Sequence, residues 1–236
     1  MYTVNLPLHP DRASWPQASL MGSLTPSDRA ALLTAGGRVQ FNDDDILVMQ
    51  GDIGDVLYVL TGGMVKISVS AETGADTMLG VRSRGDLIGE FAVLDGMPRS
   101  ATVRAVGTVG AVRITAARFA AFTEAHPTAL HVITRSLVAK VRSETERHAA
   151  ERNWGARERL AQVLYDLATG YGEKSGGGEV VIPLPLTQME LGELAGVAVS
   201  TTERVLADFR KEGLIATGYR EIAIRDIACL GDTRFA

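Results

Sequence analysis

The hydrophobic pattern of this chain changes once, at Ala116, and that change constrains the fold more than any other feature. Before it, residues 38–115 form short runs of strand-forming residues separated by turn-forming segments, among them Asn42-Asp43-Asp44, Gly51-Asp52, Gly62-Gly63 and Gly107. After it, apolar residues recur every three or four positions, which is the period of an amphipathic helix. We therefore predict a β-rich first half and a helical second half.

The first half is expected to be a β sandwich or a jelly-roll-like barrel, because both are built from many short strands with regular turns. A short helix introduced by Thr25-Pro26-Ser27 is expected before the strands, over Ser23–Ala35. Residues 1–19 contain three prolines and are expected to form a mobile tail. The predicted strands are Arg38–Phe41, Ile46–Met49, Val56–Thr61, Met64–Ser70, Thr77–Val81, Ala101–Ala105 and Val109–Ile114.

A glycine-rich segment late in the strand region, Gly85–Thr102, carries the residues best suited to binding a ligand. Gly89 permits close backbone approach, and Glu90 begins a short amphipathic helical turn. Arg99 follows a loop, and a helix N-terminus beside a guanidinium suits a phosphate group. The carboxylate of Glu90 suits a ribose hydroxyl, whereas the alternative is a surface loop with two solvated charges. The apolar residues expected to face inward are Phe91, Val93 and Leu94.

The longest helical pattern runs from Thr128 to Asn153, after a break at His126-Pro127. Its apolar stripe is expected either to pack on the β domain or to pair with a second copy in a two-fold dimer. Gly155 is expected to be a hinge before the next helix, Arg157–Thr169. The stripe contains Leu130, Ile133, Leu137 and Val141, and then becomes polar at Glu144, Thr145 and His148.

The C-terminal region contains a capping box, Thr187-Gln188-Met189-Glu190, which predicts the start of a helix. Gly196 suits a helix end with positive φ, and a second helix is predicted from Val199 to Glu212. A hairpin is expected around Gly218. This order is typical of a winged helix-turn-helix, although spacing alone equally allows a small helical bundle with a hairpin.

The order of these parts resembles that of the CRP/FNR family of bacterial transcription regulators, over roughly residues 20–227. Three motifs carry the resemblance. The first motif is Gln50-Gly51-Asp52-Xaa-Gly54-Asp55-Xaa-Leu57-Tyr58-Val59-Leu60-Xaa-Xaa-Gly63. The second is Gly89-Glu90-Phe91-Ala92 with Pro98-Arg99-Ser100-Ala101-Thr102. The third is Thr187-Xaa-Xaa-Glu190-Leu191-Gly192-Xaa-Leu194-Ala195-Gly196 with Arg204-Val205-Leu206. The second motif is similar to the phosphate-binding cassette of cyclic-nucleotide-binding domains.

The resemblance implies four segments and an α+β fold. They are a flexible tail (1–19), a cyclic-nucleotide-binding β jelly-roll barrel (20–126), a long dimerisation helix (127–154) and a winged helix-turn-helix DNA-binding domain (155–236).

The resemblance also implies a ligand site, in which Glu90 holds the ribose 2′-hydroxyl while Arg99 and Ser100 hold the cyclic phosphate. Glu144 and Thr145 fall where family members carry adjacent Thr and Ser that contact the base. Cyclic AMP is the expected ligand. Because Glu144 departs from the family pattern, cyclic GMP or no nucleotide stay open as alternatives. The expected ligand-binding residues are Gly89, Glu90, Phe91, Ala92, Arg99, Ser100, Glu144 and Thr145.

The predicted recognition helix also departs from the family. Where the family pattern is commonly Ser-Arg-Glu-Thr-Val-Xaa-Arg, this chain has Ala198-Val199-Ser200-Thr201-Thr202-Glu203-Arg204, so the usual operator sequence is not transferred. Arginine is the usual partner of guanine in the major groove, and serine or threonine contact phosphates or bases. The residues expected at double-stranded DNA are Thr187, Gln188, Val199, Ser200, Thr201 and Arg204.

Composition limits the classes of function that this chain can have. The net charge of −4 argues against nucleic-acid binding by bulk charge, so any DNA contact is expected to be local. The single cysteine, Cys229, excludes an internal disulfide framework, and the scattered histidines give little support for a metal site. No run approaches the ~18–20 apolar residues of a membrane span. With no signal peptide, P-loop or nucleophile elbow, we expect a cytoplasmic protein that is not an enzyme.

We therefore predict a homodimeric, ligand-controlled transcription regulator with DNA and RNA polymerase as partners. The first alternative is a DNA-binding regulator with a degenerate barrel that is independent of nucleotide or senses another ligand. The second is a nucleotide-binding regulatory subunit whose C-terminal helices bind a protein.

Overall fold

The computed structural model describes residues 15–16, 19–70, 76–175, 178–218 and 221–232. In these residues the helices are α1 (Leu20–Ser23), α2 (Pro26–Thr34), α3 (Glu90–Asp95), α4 (Ala116–Ala125), α5 (Pro127–Asn153), α6 (Ala156–Tyr171), α7 (Gln188–Ala195), α8 (Val199–Lys211) and α9 (Ile227–Asp232). The strands are β1 (Gly37–Phe41), β2 (Ile46–Val48), β3 (Val56–Ser70), β4 (Asp76–Ser83), β5 (Leu87–Ile88), β6 (Thr102–Thr115), β7 (Glu173–Lys174), β8 (Val180–Ile182), β9 (Ile215–Gly218) and β10 (Glu221–Ile224).

The N-terminal part, β1 to β6 with α1 to α4, is a jelly-roll-like antiparallel domain that we call the β domain. Its strands follow the order β1-β6-β3-β4, with β2 paired to β6 and β5 paired to β3. The sheet is open, so the predicted barrel is not closed, and β4 lies at its end among the described strands. The β-rich first half and helical second half are confirmed.

Two predicted turns in the β domain were wrong. Gly62-Gly63 and Gly107 lie inside the single long strands β3 and β6 rather than between separate strands. Gly62 pairs with Gly110, and the register shifts on both sides of it. The glycines therefore mark irregularities in a continuous pair of strands, because pairing with a distant strand outweighs local turn preference.

The predicted N-terminal helix, Ser23–Ala35, corresponds to α2, and a separate short helix, α1, precedes it. Ser19 caps α1, and Thr25 caps α2 by accepting a hydrogen bond from the amide of Asp28. Most of the predicted tail, residues 1–19, lies outside the described residues. Within it, Trp15 packs against the apolar core and Ser19 is buried.

Helix α5 packs only one edge of its apolar stripe on the β domain. Ile133 is buried in the core of the β domain, and Leu137 packs partly against the same core. Val141, about two turns after Ile133, is 63% exposed. One edge of the stripe therefore packs on the β domain while the other stays uncovered.

The C-terminal domain, α6 to α9 with β7 to β10, has a winged helix-turn-helix arrangement. The capping box at Thr187 and Glu190 is confirmed, and Gly196 ends α7 with a φ of 61°. Helices α7 and α8 are followed by the hairpin β9–β10, whose second strand also pairs with β8. The tip of this hairpin, residues 219–220, lies outside the described residues.

Candidate ligand site and nucleic-acid interface

The predicted phosphate segment forms a tight turn followed by a short helix. Gly89 adopts a φ of 79°, a left-handed conformation that glycine accepts at low cost, and α3 begins at the next residue, Glu90. Ala92 is buried on the inner side of α3. The expectation that Phe91 and Leu94 face inward was wrong, since they are 42% and 46% exposed.

Arg99 is buried beneath this turn. Its Nη1 donates to the carbonyl of Gly89 at 2.6 Å, and its Nη2 donates to the carbonyl of Val56 at 2.5 Å. A side-chain carbon at Gly54 would overlap the guanidinium. Glycine at that position therefore leaves the space in which the Arg99 side chain lies, and the guanidinium joins the start of β3 to the start of α3.

Glu90 faces a cation that the sequence analysis did not identify. Its carboxylate is buried, and Lys140 of α5 donates to its Oε1 at 2.6 Å. The Lys140 ammonium also lies 5.9 Å from the centroid of the Phe91 ring. Lys140 stands one helical turn before Glu144, and that spacing was the signal available in the sequence.

These groups surround a cavity of about 360 Å³ between the β domain and α5. A cavity of this size is within the range of small-molecule sites, which typically combine apolar walls with a few polar groups. Apolar side chains of the strands form most of the wall, and α5 closes one side. The polar and charged side chains at the cavity are Arg82, Glu90, Arg99, Ser100, Lys140 and Glu144.

The structure brings together all the predicted ligand residues except Thr145. Glu144 borders the cavity, whereas Thr145 is exposed and donates to the carbonyl of Val141 within α5. Helical geometry explains the difference, because adjacent residues on a helix point about 100° apart.

A third carboxylate, that of Asp86, lies near the cavity, in the turn between β4 and β5. Burial raises the pKa of Asp86, and this effect outweighs the hydrogen bond that its carboxylate accepts from the amide of Ser83. The nearby cations Arg82 and Lys140 act in the opposite direction. Several titratable side chains beside the cavity are therefore close to one another and shielded from bulk water.

The predicted DNA contacts lie along the first turns of α7 and α8. Thr187 is exposed at the start of α7, although its hydroxyl already accepts the amide of Glu190. Ser200 and Arg204 are exposed on α8, and Thr201 is half-buried. Gln188 is half-buried and Val199 is 40% exposed.

The crossing of α7 over α8 explains why the next threonine is not available. Thr202 is fully buried and donates to the carbonyl of Ala198. A side-chain carbon at Gly192 would come within 2.7 Å of the Thr202 hydroxyl. The close crossing of the two helices thus directs neighbouring α8 residues outward.

Two family models match the chain in the order of its two domains. A cyclic nucleotide-binding domain matches residues 38–126, and a Crp-like helix-turn-helix domain matches residues 158–233. The chain belongs to the CRP/FNR family. The members of this family to which the chain is similar are transcription regulators, and the chain is a DNA-binding regulator of this type rather than an enzyme.

Individual CRP/FNR proteins are similar along nearly their whole length. The CRP-like cAMP-activated global transcriptional regulator of Mycobacterium tuberculosis is 27% identical over 210 residues, which cover 89% of this chain and 93% of the relative. A CRP/FNR regulator structure from Thermus thermophilus has a TM-score of 0.70 at 23% identity, covering 85% of this chain and 99% of that one. The c-di-GMP-responsive global regulator of Xanthomonas campestris also has a TM-score of 0.70, at 18% identity, covering 86% of this chain and 100% of that one.

Two other features are absent from the described part of the chain. No helix there is both long and apolar enough to span a bilayer. No group of three or more His, Cys, Asp and Glu side chains there is placed to hold a metal ion.

Proposed function

We propose that this regulator is a homodimer whose affinity for DNA is controlled by a cyclic nucleotide bound between the β domain and α5. The observation that carries the proposal is the convergence of Glu90, Arg99 and Lys140 on one cavity. Two cations suit a cyclic phosphate, and a carboxylate suits the ribose hydroxyl. Because Lys140 belongs to α5, a ligand that competes for the Glu90 carboxylate acts directly on this helix.

Cyclic AMP is the ligand that we infer first. The Mycobacterium tuberculosis relative is described as activated by cyclic AMP. The Xanthomonas campestris regulator responds to c-di-GMP, so the fold alone does not select the nucleotide. Glu144 at the cavity supports an adenine, because its carboxylate can accept a hydrogen bond from an exocyclic amine.

The proposed dimer uses the uncovered edge of α5. Apolar and small polar residues recur there at spacings of three and four, as in the seam of a coiled coil. The exposed side chains of this edge are Leu130, Thr134, Val138, Val141, Thr145 and His148. A two-fold dimer would present its two α8 helices to half-sites about one helical turn apart, roughly 10 bp. RNA polymerase as a partner and the cytoplasm as location are part of the same proposal.

Calorimetry tests which nucleotide, if any, the cavity binds. Wild-type protein is titrated with cyclic AMP, cyclic GMP and c-di-GMP, and we expect cyclic AMP to bind most tightly. Lys140→Gln removes the cation from the cavity and should weaken binding by about tenfold. Arg142→Gln is the matched control, because Arg142 is an exposed residue of the same helix outside the cavity. No heat of binding with any of the three nucleotides would contradict the proposal.

A regulator that binds DNA without a cyclic nucleotide is the second candidate. The observation that favours it is that the polar groups of the cavity already have partners within the protein. Glu90 is paired with Lys140, and Arg99 donates to two backbone carbonyls. For this candidate, DNA affinity is the same with and without nucleotide, and it is also unchanged by Lys140→Gln.

A further inference from the structure

The outer edge of strand β4 is covered by side chains from three successive helices. The Tyr171 hydroxyl of α6 donates to the carbonyl of Val81 at 2.8 Å, and the amide of Met78 donates to Glu193 of α7 at 2.9 Å. Arg147 of α5 donates to the carbonyl of Leu79 at 2.8 Å. A strand at the end of a sheet leaves such groups unpaired, so these helices supply partners for three backbone groups of β4.

Apolar packing accompanies these hydrogen bonds. Met78 and Val81 are 4% and 3% exposed, and they belong to the same core as Leu194 of α7. Residues three apart on a regular strand face opposite sides, but the register of β4 shifts at Leu79. This irregularity brings Met78 and Val81 to one face, against the C-terminal domain.

An ion pair lies beside this packing. Lys66 of β3, the partner of Val81 in the sheet, donates to Glu190 Oε1 at 2.6 Å and to the carbonyl of Pro185 at 2.8 Å. The other oxygen of Glu190 accepts the amide of Thr187 in the capping box. Lys66, Met78, Val81, Glu190 and Glu193 are called the β4–α7 interface below.

The same two strands form a wall of the ligand cavity. Ile67, which follows Lys66 in the chain, borders the cavity, as do Leu79, Gly80 and Arg82 of β4. The cavity and the C-terminal domain are therefore in contact with neighbouring residues of a single pair of strands. A ligand that shifts this wall also shifts the groups that hold α7.

The end of α7 held by Lys66 is the end that DNA phosphates approach. In helix-turn-helix proteins the first helix crosses the DNA backbone, and phosphates favour helix N-termini. Thr187, an expected DNA contact, lies within the capping box that Lys66 touches through Glu190. Because Lys66 of the β domain contacts this end of α7, a duplex at α7 would also approach the β domain. Residues 1–100, which contain most of that domain, carry 7 basic and 12 acidic side chains.

We propose that the β4–α7 interface holds the C-terminal domain in a state of low DNA affinity, and that nucleotide binding releases it. The inference rests on the proposed function, because it names the contact through which the ligand acts. The contact lies within one chain, so this restraint operates separately from pairing between two α5 helices. Any nucleotide that favours the released state must, by linkage, bind more tightly when the interface is weakened.

Two variants weaken the interface without touching the ligand cavity or α8. Lys66→Gln removes the ion pair with Glu190, and Glu193→Gln weakens the acceptor of the Met78 amide. Each should raise DNA affinity in the absence of nucleotide by about two- to fivefold, and raise nucleotide affinity by a similar factor. Tighter binding is not expected from a variant that only damages the fold.

The control is Arg104→Gln, which removes an ion pair with Asp44 elsewhere in the β domain and should change neither affinity. Nucleotide-free DNA affinity that stays equal or falls in both interface variants would overturn the inference. If wild-type protein binds no cyclic nucleotide, the proposed function fails, but the nucleotide-free comparison of DNA affinities still decides whether the interface restrains α7.

Hydrogen exchange at the Met78 amide gives a measurement independent of DNA. In wild-type protein, saturating cyclic AMP should increase its exchange rate, because the amide loses Glu193 as its partner. Unchanged protection while cyclic AMP is bound and DNA affinity rises would show that the ligand acts by another route.

Discussion

At the scale of single residues, Arg99 both connects two parts of the β domain and lies where a ligand would bind. Its guanidinium joins Gly89 and Val56 through their carbonyls, and it also borders the cavity. Because two of its N–H groups are used internally, its orientation is fixed before a ligand arrives. A fixed cation loses less side-chain entropy on binding than a mobile one.

Gly54 tests whether this orientation matters. In Gly54→Ala the new methyl group overlaps the Arg99 guanidinium, which must move away. We expect nucleotide affinity to fall by about tenfold or more in calorimetry, since a displaced cation no longer faces the phosphate. Gly37→Ala is the control, because a side-chain carbon there meets no atom within 4 Å. Equal affinities for the two variants would show that the position of Arg99 is not important for binding.

The sequence identified the local part of this site and missed the part made by tertiary contacts. Glu90 and Arg99 stand in one short segment whose glycines and loop have a recognisable pattern. Lys140 lies 50 residues beyond Glu90, and only the packing of α5 on the β domain brings them together. Gly54 is likewise important only because the side chain of Arg99, from a distant part of the sequence, lies against it.

At the scale of elements, helix α5 has two distinct sides. One side packs on the β domain through Ile133 and contributes Lys140 to the cavity. Val141 borders the same cavity but is 63% exposed, and Val138 is 47% exposed; we propose that the second copy covers this exposed part of the helix. A ligand at Lys140 is therefore bound on the same helix that forms the proposed dimer contact.

Val141→Glu tests the dimer. Two copies of the new carboxylate would be brought together in the seam, where unpaired charges cost several kcal/mol, so we expect the dimer to dissociate in analytical ultracentrifugation. In Ala139→Glu, the control, the substituted residue points about 160° away from Val141 and the dimer should persist. A dimer of unchanged stability in Val141→Glu would place the subunit contact elsewhere.

The junction between α2, α4 and α5 gives a prediction on pH. Asp28 accepts hydrogen bonds from Thr25 Oγ1 at 2.8 Å and Thr128 Oγ1 at 3.3 Å, and it pairs with His126 Nδ1 at 2.8 Å. The hydrogen bond from Thr25, followed by that from His126, lowers the pKa of Asp28 below its ordinary value of 3.8.

Because the folded pKa of Asp28 is the lower one, the unfolded chain binds a proton first as the pH falls. The stabilisation is present above about pH 3.8 and is lost as the pH falls through the folded pKa. Urea unfolding should therefore show that Asp28→Asn is less stable than wild type at neutral pH, and that the difference shrinks toward pH 3. A difference that does not depend on pH would contradict this role for the ionised carboxylate.

The strands illustrate the limit of sequence patterns at this scale. Gly62 and Gly107 have the composition of turns, yet both lie within long strands. Whether a glycine ends a strand or forms a bulge depends on what the partner strand offers, and that partner lies dozens of residues away. The capping box of α7 was predicted correctly because all its atoms belong to four consecutive residues.

At the scale of the whole molecule, two contacts join the cavity, helix α5 and the C-terminal domain. The cavity meets α5 at the Glu90–Lys140 pair, and its β3–β4 wall meets the C-terminal domain at the β4–α7 interface. A bound nucleotide can exchange the first contact for its own groups, and it acts on the second through the β3–β4 wall that it touches. Ligand binding and DNA binding are then coupled through a shift between two arrangements of the domains.

The most direct test of this coupling is the affinity of the wild-type protein for its own operator. The operator is obtained by genomic DNA selection with purified protein, and binding of a labelled duplex is followed by fluorescence anisotropy with and without saturating cyclic AMP. We expect cyclic AMP to tighten DNA binding by about 5- to 150-fold, the usual range of allosteric coupling. The same affinity with and without cyclic AMP, in protein that calorimetry shows to be fully bound, would contradict the account.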